Sequence, residues 1–270
     1  SAENVLVEIN GGAVNAASSD NAIGVRGKAN VVVNINGGKI TTGSNNRLAM
    51  YISGDKEDSI QVNITSGEIT SNGQTIQAYS GAEINISGDA VISSATGTAI
   101  STQSGYGVVE LNVTGGTIKT EGARAYAVYA RESSDVNISG GAVLGGYGLR
   151  ASDSADVAVS GGTVEGSISA ISVSDSANVT VTGGAFNKDV SGYIDSSAAV
   201  AEFSAEGKKT YVVGDTIAEK AAEAAAGTEI NVTKGSVALT DVSTDVKVKN
   251  TGDAEVTVNG VRQNPLNYAR

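Results

Sequence analysis

Cysteine, histidine and tryptophan are absent from this 270-residue chain, and proline and methionine occur once each. Without Cys or His, the chain cannot supply a cysteine nucleophile, a zinc site built on thiolate or imidazole, a Ser-His-Asp triad or a histidine ligand to haem. We therefore expect no cofactor and assign no catalytic residue. The absence of Cys is neutral on compartment, because disulfides are needed mainly by small domains and a chain of this length can build a core without them.

Cations are also scarce, with 18 Lys and Arg against 29 Asp and Glu and a net charge of −11. Nucleic acid requires clustered cations that displace counterions, so we expect no nucleic-acid partner. No apolar run approaches the ~18 residues of a membrane span, and we expect no membrane insertion. The chain opens into strand-like sequence without a signal-peptide pattern, and we expect it to be a segment of a longer chain.

The chain does contain a repeated phrase, which consists of alternating apolar residues, a small-residue corner and a further apolar residue. Clear copies are VLVEINGGAV at 5–14, VVVNINGGKI at 31–40 and VELNVTGGTI at 109–118. The first corner residue recurs every 21 to 29 residues, at Gly11, Gly37, Ser66, Gly88, Gly115, Gly140, Gly161 and Gly183. A period of this size indicates a stacked-repeat architecture.

Each corner is followed by a second apolar patch, such as AVYA at 127–130, so one repeat contains three short strands. Three short strands cannot bury a face alone, but strands stacked coil on coil at about 4.8 Å can. We predict an all-β fold, a right-handed, single-stranded parallel β-helix of about eight coils over residues 1–184. Two inward ladders are expected, one of Val7, Val33, Val62, Ile84, Leu111, Val136, Val157 and Val179, the other of Ile9, Ile35, Ile64, Ile86, Val113, Ile138, Val159 and Val181.

The repeat pattern changes after Gly184. Residues 185–214 contain both Phe residues and a Lys pair, and we expect this segment to close the end of the solenoid, which needs covering. Residues 215–226 (DTIAEKAAEAAA) predict a helix capped by Asp215 or Thr216 and stopped by Gly227. Short strands return over 228–261, so residues 215–270 are expected to be a helix-plus-strand module that caps this solenoid or opens a further one.

The closing segment carries a resemblance to a known family. The run GGAFNKDVSGYI at 183–194, followed by KKTYVVG at 208–214, resembles a closing motif of bacterial surface proteins with right-handed parallel β-helices of the pectin-lyase-like superfamily. The matching positions are Gly183, Gly184, Phe186, Asp189, Val190, Ser191, Tyr193, Ile194, Tyr211 and Val213. The resemblance covers nearly the whole chain and implies the fold, an extracellular or cell-surface location and an adhesin-like role.

The second patch supplies the candidate binding residues. Aromatic, Arg and Gln side chains on a rigid strand face can stack on and hydrogen-bond a saccharide. The outward positions are Arg26, Tyr51, Gln77, Tyr79, Gln103, Tyr129, Arg131 and Arg150. The long strands carry two further outward rows: an Asn row that contains Asn34, Asn63, Asn85, Asn112 and Asn137, and an acidic row that contains Glu83, Glu110, Asp135 and Asp156. One carboxylate per rung gives too few convergent oxygens for Ca²⁺, so we expect no metal site.

We therefore expect a non-enzymatic surface module, a rigid stalk with adhesin-like character whose partner is glycan or a host surface. Two other interpretations stay open: a carbohydrate-active β-helix enzyme (a polysaccharide lyase or glycoside hydrolase) or its binding domain, and a passenger segment of an autotransporter. Adjacent acids such as Glu83 and Glu110 are compatible with the carboxylate spacing of a hydrolase, but so are most acids on adjacent coils. The expected state is a monomer or a weak end-to-end or edge dimer.

Overall fold

A computed structural model describes residues 4–16, 20–27, 30–54, 60–103, 105, 107–252 and 255–263. The chain divides into two compact units. Unit 1 comprises residues 1–158 and 163–179, and unit 2 comprises residues 159–162 and 180–270. β-Strands dominate both units, and the one α-helix among the described residues is short and lies in unit 2.

The strands are numbered in chain order. The repeat region contains β1 Val5–Ala16, β2 Ile23–Gly27, β3 Val31–Thr42, β4 Met50–Gly54, β5 Ile60–Ser71, β6 Ile76–Tyr79, β7 Ala82–Ile86, β8 Val91–Ser94, β9 Ile100–Gln103, β10 Glu110–Val113, β11 Thr117–Thr120, β12 Tyr126–Ala130, β13 Asp135–Ile138, β14 Ala142–Ala151, β15 Asp156–Val173 and β16 Asn178–Phe186. After it come a 3₁₀ turn at Ser191–Tyr193, β17 Val200–Ala205, β18 Lys208–Val213, α1 Thr216–Ala222, β19 Glu229–Lys234, β20 Val237–Leu239, β21 Lys247–Asn250, β22 Val256–Val258 and β23 Val261–Gln263.

The repeats form a parallel β-solenoid of about seven turns, which confirms the predicted fold class. Each long strand pairs in parallel with its equivalent in the next coil, from β1 to β3, β5, β7, β10 and β13. The second patches stack in the same way through β2, β4, β6, β9, β12 and β14. In the first coils, the long strand and the strand after the corner are one continuous strand with a register shift at the corner.

The inward ladders form the core of the solenoid. From the second coil onward, every predicted ladder residue is at most 8% exposed, and Val62 and Ile84 are fully buried register partners. Val7 on β1 is 41% exposed, because β1 contacts β3 along one edge among the described strands. The buried ladder residues are Val, Ile and Leu, so this core is aliphatic.

The glycine corners meet two separate requirements. The second corner residue has a positive φ in most copies, for example +76° at Gly116 and +73° at Gly141. The first corner residue approaches the preceding coil so closely that a Cβ on Gly140 would collide with the carbonyl oxygen of Thr114. Glycine meets both conditions without strain, which explains the Gly-Gly pair at six of the eight corners; the other two corners are Ser66-Gly67 and Gly88-Asp89.

The outward Asn row forms a hydrogen-bonded ladder across the coils. Each amide donates to the Asn of the preceding coil, with Nδ2–Oδ1 distances of 2.9 to 3.1 Å, through Asn34, Asn63, Asn85, Asn112 and Asn137. The Nδ2 atoms of Asn85 and Asn112 also donate to Glu83 and Glu110 of the acidic row. The ladder therefore stabilises coil stacking and holds neighbouring carboxylates in place.

Truncation of the Asn ladder at its middle is expected to cost more than truncation near its end. Asn85→Ala removes donors to Asn63 and Glu83 and an acceptor for Asn112, so we expect a loss of about 1–3 kcal/mol in the free energy of unfolding. Asn137→Ala removes one exposed bond, to Asn112, and we expect a loss of about 0.5–1 kcal/mol. Urea unfolding followed by circular dichroism measures both losses. Equal losses in the two variants would contradict a stabilising role of the Asn ladder.

Unit 2 has a mixed topology around its own apolar core. β18 pairs antiparallel with the end of β16 and with β17, β17 pairs antiparallel with β19, and β19 pairs in parallel with β21. A second sheet joins β20, β22 and β23. The core contains Ala185, Ala201, Phe203, Val212, Ile217, Ala221, Ile230, Val232, Leu239, Val242, Val246 and Val256.

The predicted helix over 215–226 is too long, since α1 spans Thr216–Ala222. Asp215 occupies the N-cap position, but its side chain makes no capping hydrogen bond. The hydroxyl of Thr216 instead accepts the backbone N–H of Gly184 at 3.0 Å. After Glu223 the chain turns, and the N–H of Thr228 bonds to the carbonyl of Ala225. Gly227, with φ +82°, lies in this turn and not at the helix end.

Candidate functional site

The eight candidate residues all lie in unit 1, on the strands of the second patch or directly after one, but they do not form one continuous row. Strand register places Tyr51, Gln77, Tyr129 and Arg150 in one column with Gly24, Ser101 and Ser172. Arg26, Tyr79 and Gln103 follow a second column with Ser53. Arg131 follows β12 directly after Ala130. The small residues interrupt both columns, so the candidates separate into local groups.

Three of these groups are small. The guanidinium of Arg26 lies 4.8 Å from the ring centroid of Tyr51. The side chains of Gln77 and Gln103 are joined by a hydrogen bond of 3.2 Å. The ring of Tyr79 packs against the backbone of Gly105, where a Cβ would collide with it. Each of these groups contains at most two candidate side chains, so none of them brings several aromatic rings and cations together.

The fourth group is larger, and we name it the tyrosine–arginine cluster: Tyr126, Tyr129, Tyr147, Arg131 and Arg150. The ring of Tyr126 lies 4.8 Å from that of Tyr129 and 5.2 Å from that of Tyr147, between centroids. The guanidinium of Arg131 lies 5.2 Å from the Tyr129 ring. That of Arg150 lies 5.7 Å from Tyr126 and 5.8 Å from Tyr129. All five side chains are half-buried.

Serine hydroxyls hold this cluster in place. The guanidinium of Arg150 donates to Ser172 at 3.0 Å and to Ser174 at 3.1 Å, both on the next coil. The hydroxyl of Ser152 lies 3.4 Å from that of Tyr129 and 2.9 Å from a carboxylate oxygen of Asp153. Arg150 is therefore oriented before any ligand arrives, and preorganisation of this kind lowers the entropic cost of binding.

The turns behind the cluster repeat from coil to coil. Glu132, Asp153 and Asp175 all have left-handed backbone conformations, with φ of 56°, 62° and 59°. The carboxylate of Asp153 accepts the N–H of Glu132 at 3.3 Å, and that of Asp175 accepts the N–H of Asp153 at 3.5 Å. These carboxylates satisfy backbone donors that the sharp turns would otherwise leave unpaired.

The electrostatics of the cluster follow from these contacts. Burial on its own raises the pKa of Tyr129, but hydrogen bonds with Ser152 and Arg150 and the charges of Arg131 and Arg150 outweigh it, so the pKa is lowered. Hydrogen bonding to Tyr129 raises the pKa of Arg150. The hydroxyl of Ser152, the N–H of Glu132 and the charge of Arg131 lower the pKa of Asp153. Two guanidinium groups therefore lie beside the tyrosine rings, and the Asp153 carboxylate is connected to Tyr129 through the hydroxyl of Ser152.

Sequence reasoning selected Tyr129, Arg131 and Arg150 but missed Tyr126 and Tyr147. Tyr126 lies one residue before the patch AVYA at 127–130, and Tyr147 lies one residue before the patch GLRA at 148–151. The pairing of β12 with β14 places the two tyrosines opposite each other. Aligning the patches one residue further toward the N-terminus would have revealed the pair.

A second feature that the sequence did not predict is a cleft of about 600 Å³ within unit 2. It is lined by Ser160, Thr182, Ser197, Ala198, Ala199, Gly214, Asp215, Ala218, Ser236, Val237 and Ala238.

The acidic row has the predicted register, and Glu110 lies between Glu83 and Asp135 on adjacent coils. A depression of about 220 Å³ lies beside Asp135 and Asp156. Within the described part of the chain, no group of three or more acidic side chains has the arrangement of a metal site. None of the helices described there is long and apolar enough to cross a membrane.

Comparisons with protein-family models, curated proteins and solved structures find no match to this chain. The pectin-lyase-like assignment therefore stays a prediction from the residues of the closing motif. The structure itself establishes a parallel β-solenoid with one clustered tyrosine–arginine face.

Proposed function

We propose that this chain is a non-enzymatic module of a bacterial surface protein, in which the solenoid displays the tyrosine–arginine cluster as a saccharide-binding site. The observation that carries the proposal is the convergence of Tyr126, Tyr129 and Tyr147 with two guanidinium groups on adjacent coils. Aromatic faces stack on the apolar faces of sugar rings, and fixed polar groups beside them bond the hydroxyls. The extracellular location is supported by the resemblance of the closing motif.

Two features argue against a catalytic site on the acidic row. The depression beside the acidic row, at about 220 Å³, is smaller than the roughly 300–1,000 Å³ of typical ligand sites. Glu83 and Glu110 also accept hydrogen bonds from Asn85 and Asn112, which engages the carboxylates in the Asn ladder. A rigid scaffold that presents a preorganised aromatic platform suits adhesion more directly than bond cleavage.

A glycan array with and without Ca²⁺, followed by titration of any glycan that binds, tests the proposal. Tyr129→Ala is expected to weaken binding at least about tenfold, or ~1.4 kcal/mol, because it removes the ring between the two guanidinium groups. Tyr51→Ala is the matched control, since Tyr51 lies on the same face beside Arg26. We expect it to retain affinity.

Three outcomes would contradict this function. If no glycan on the array binds, the chain is a structural spacer. If Tyr129→Ala and Tyr51→Ala lose equal amounts of glycan affinity, the cluster is not the binding site. Shortened or unsaturated products after incubation of a bound polysaccharide with the chain would favour the enzyme interpretation.

A further inference from the structure

The three tyrosines of the cluster bring oxidisable rings into contact across two coils. Tyr126 and Tyr147 are register partners on β12 and β14, and their ring centroids lie 5.2 Å apart with the planes tilted by 44°. Among the described residues, ring-to-ring contacts are confined to Tyr126, Tyr129 and Tyr147. The rings are half-buried, so one side stays accessible from solvent.

The composition directs oxidation toward these rings. The chain has no Cys, no Trp and no His, and its single Met, Met50, is fully buried. The side chains that usually react first with oxidants are therefore absent or shielded. Tyrosine is the main remaining oxidisable group, and three of the nine Tyr residues form one contact cluster.

We propose that Tyr126 and Tyr147 are a site of oxidative coupling, at which a dityrosine bond joins two adjacent coils of the solenoid. The oxidant is hydrogen peroxide acting through a peroxidase. Each phenol loses one electron and one proton, and the two phenoxyl radicals form one carbon–carbon bond between ring positions ortho to the hydroxyls. Both coupled rings then regain aromaticity as phenols, and the peroxide is reduced to two molecules of water.

Proximity favours this coupling over side reactions. Two radicals held on one scaffold react as an intramolecular pair, whose effective concentration far exceeds that of separate chains. Arg150 lies beside the Tyr126 ring and is held by Ser172 and Ser174, which restrains this face of the cluster. The product closes a covalent loop between coils that are otherwise joined by strand hydrogen bonds and packing, and loop closure of this kind restricts the unfolded chain.

Peptide mapping after peroxidase treatment tests the proposal on the intact chain. Trypsin cleavage after Arg124, Arg131 and Arg150 separates residues 125–131, with Tyr126 and Tyr129, from residues 132–150, with Tyr147. A Tyr126–Tyr147 bond links these two peptides with the loss of two hydrogens. A Tyr126–Tyr129 bond stays within one peptide, and a peptide left uncleaved at Arg131 weighs one water less than its two halves, so both differ in mass from the linked pair. A Tyr129–Tyr147 bond gives the same mass as the Tyr126–Tyr147 bond, and fragment ions of peptide 125–131 distinguish the two.

We expect the linked pair in the wild type and in the control Tyr51→Phe, and its loss in Tyr126→Phe and Tyr147→Phe. The oxidised wild type should also melt at a higher temperature than oxidised Tyr147→Phe. The inference is overturned if the wild type gives no linked pair under conditions that couple free tyrosine, or if the yield falls on dilution, which indicates coupling between chains. It does not rest on the proposed saccharide binding, because the readout needs no glycan.

Discussion

Replacing Val62 by Asp is expected to unfold the coils on either side of it. Val62 is fully buried and lies between Val33 and Ile84, its partners on the adjacent coils. An Asp carboxylate there would be an unpaired charge inside an aliphatic ladder, and we expect a loss of about 4 kcal/mol or more in the free energy of unfolding. That is a large share of the roughly 5–15 kcal/mol by which domains are stable.

Asn45→Asp is the charge-matched control, because it adds the same charge at an exposed position of unit 1. We expect a change within about 0.5 kcal/mol. Thermal and urea unfolding followed by circular dichroism compare the two variants. Since each coil contacts only its neighbours, amide hydrogen exchange should show the earliest loss of protection in β3, β5 and β7. A wild-type melting temperature for Val62→Asp would refute the inward assignment of the ladder.

The repeat region was predictable because two features of its sequence agree, the alternation of apolar residues and the recurrence of the corner. Alternation at Val31, Val33 and Ile35 identifies the inward face, and the recurring corner fixes where each coil turns. The Asn ladder was predictable for the same reason, since parallel in-register stacking places like side chains side by side. What the pattern does not specify is whether the strands on either side of a corner merge, as they do in β3, because that depends on local register shifts.

The sequence of unit 2 contains two-residue turn signals for hairpins that the prediction of short strands did not use. Asn259-Gly260 joins β22 and β23, and Glu206-Gly207 joins β17 and β18. All four residues have positive φ, as the favoured two-residue hairpin turns require. The expected short strands over 228–261 included no reversal at Asn259-Gly260, although Asn-Gly is a strong hairpin signal. The helix boundary failed for another reason, since the turn at Thr228 competes with a seven-residue helix that has little cooperativity of its own.

The candidate site was predictable only in part, because contacts between side chains depend on the register of three coils. Tyr129 and Arg150 were selected as outward residues, and they are indeed partners on β12 and β14. Their distances to Tyr126 depend on an irregular burial pattern in β12, where Ala127 and Val128 are both buried and strict alternation fails. A period-two pattern cannot anticipate that irregularity, so the ring contacts emerge only from the structure.

Gly141→Ala is expected to destabilise the solenoid through two effects that act together. Gly141 has φ +73°, which costs a residue with a Cβ about 1–2 kcal/mol. A Cβ would also lie 2.6 Å from the carbonyl oxygen of Gly115 on the preceding coil, so the two coils must separate at the corner. We expect a total loss of roughly 2–4 kcal/mol in the free energy of unfolding, measured by urea denaturation.

Gly24→Ala separates this corner effect from the general effect of replacing a glycine. Gly24 lies in β2 of the same unit, has no positive φ and has open space where a Cβ would lie. Ala at this position reduces the freedom of the unfolded chain without strain, so we expect no loss and a gain of up to about 1 kcal/mol. Similar losses in both variants would mean that the cost comes from replacing a glycine in general and not from the corner, and no loss in Gly141→Ala would mean that the corner tolerates a side chain. Opposite signs would show that the Gly-Gly corners are required by backbone geometry.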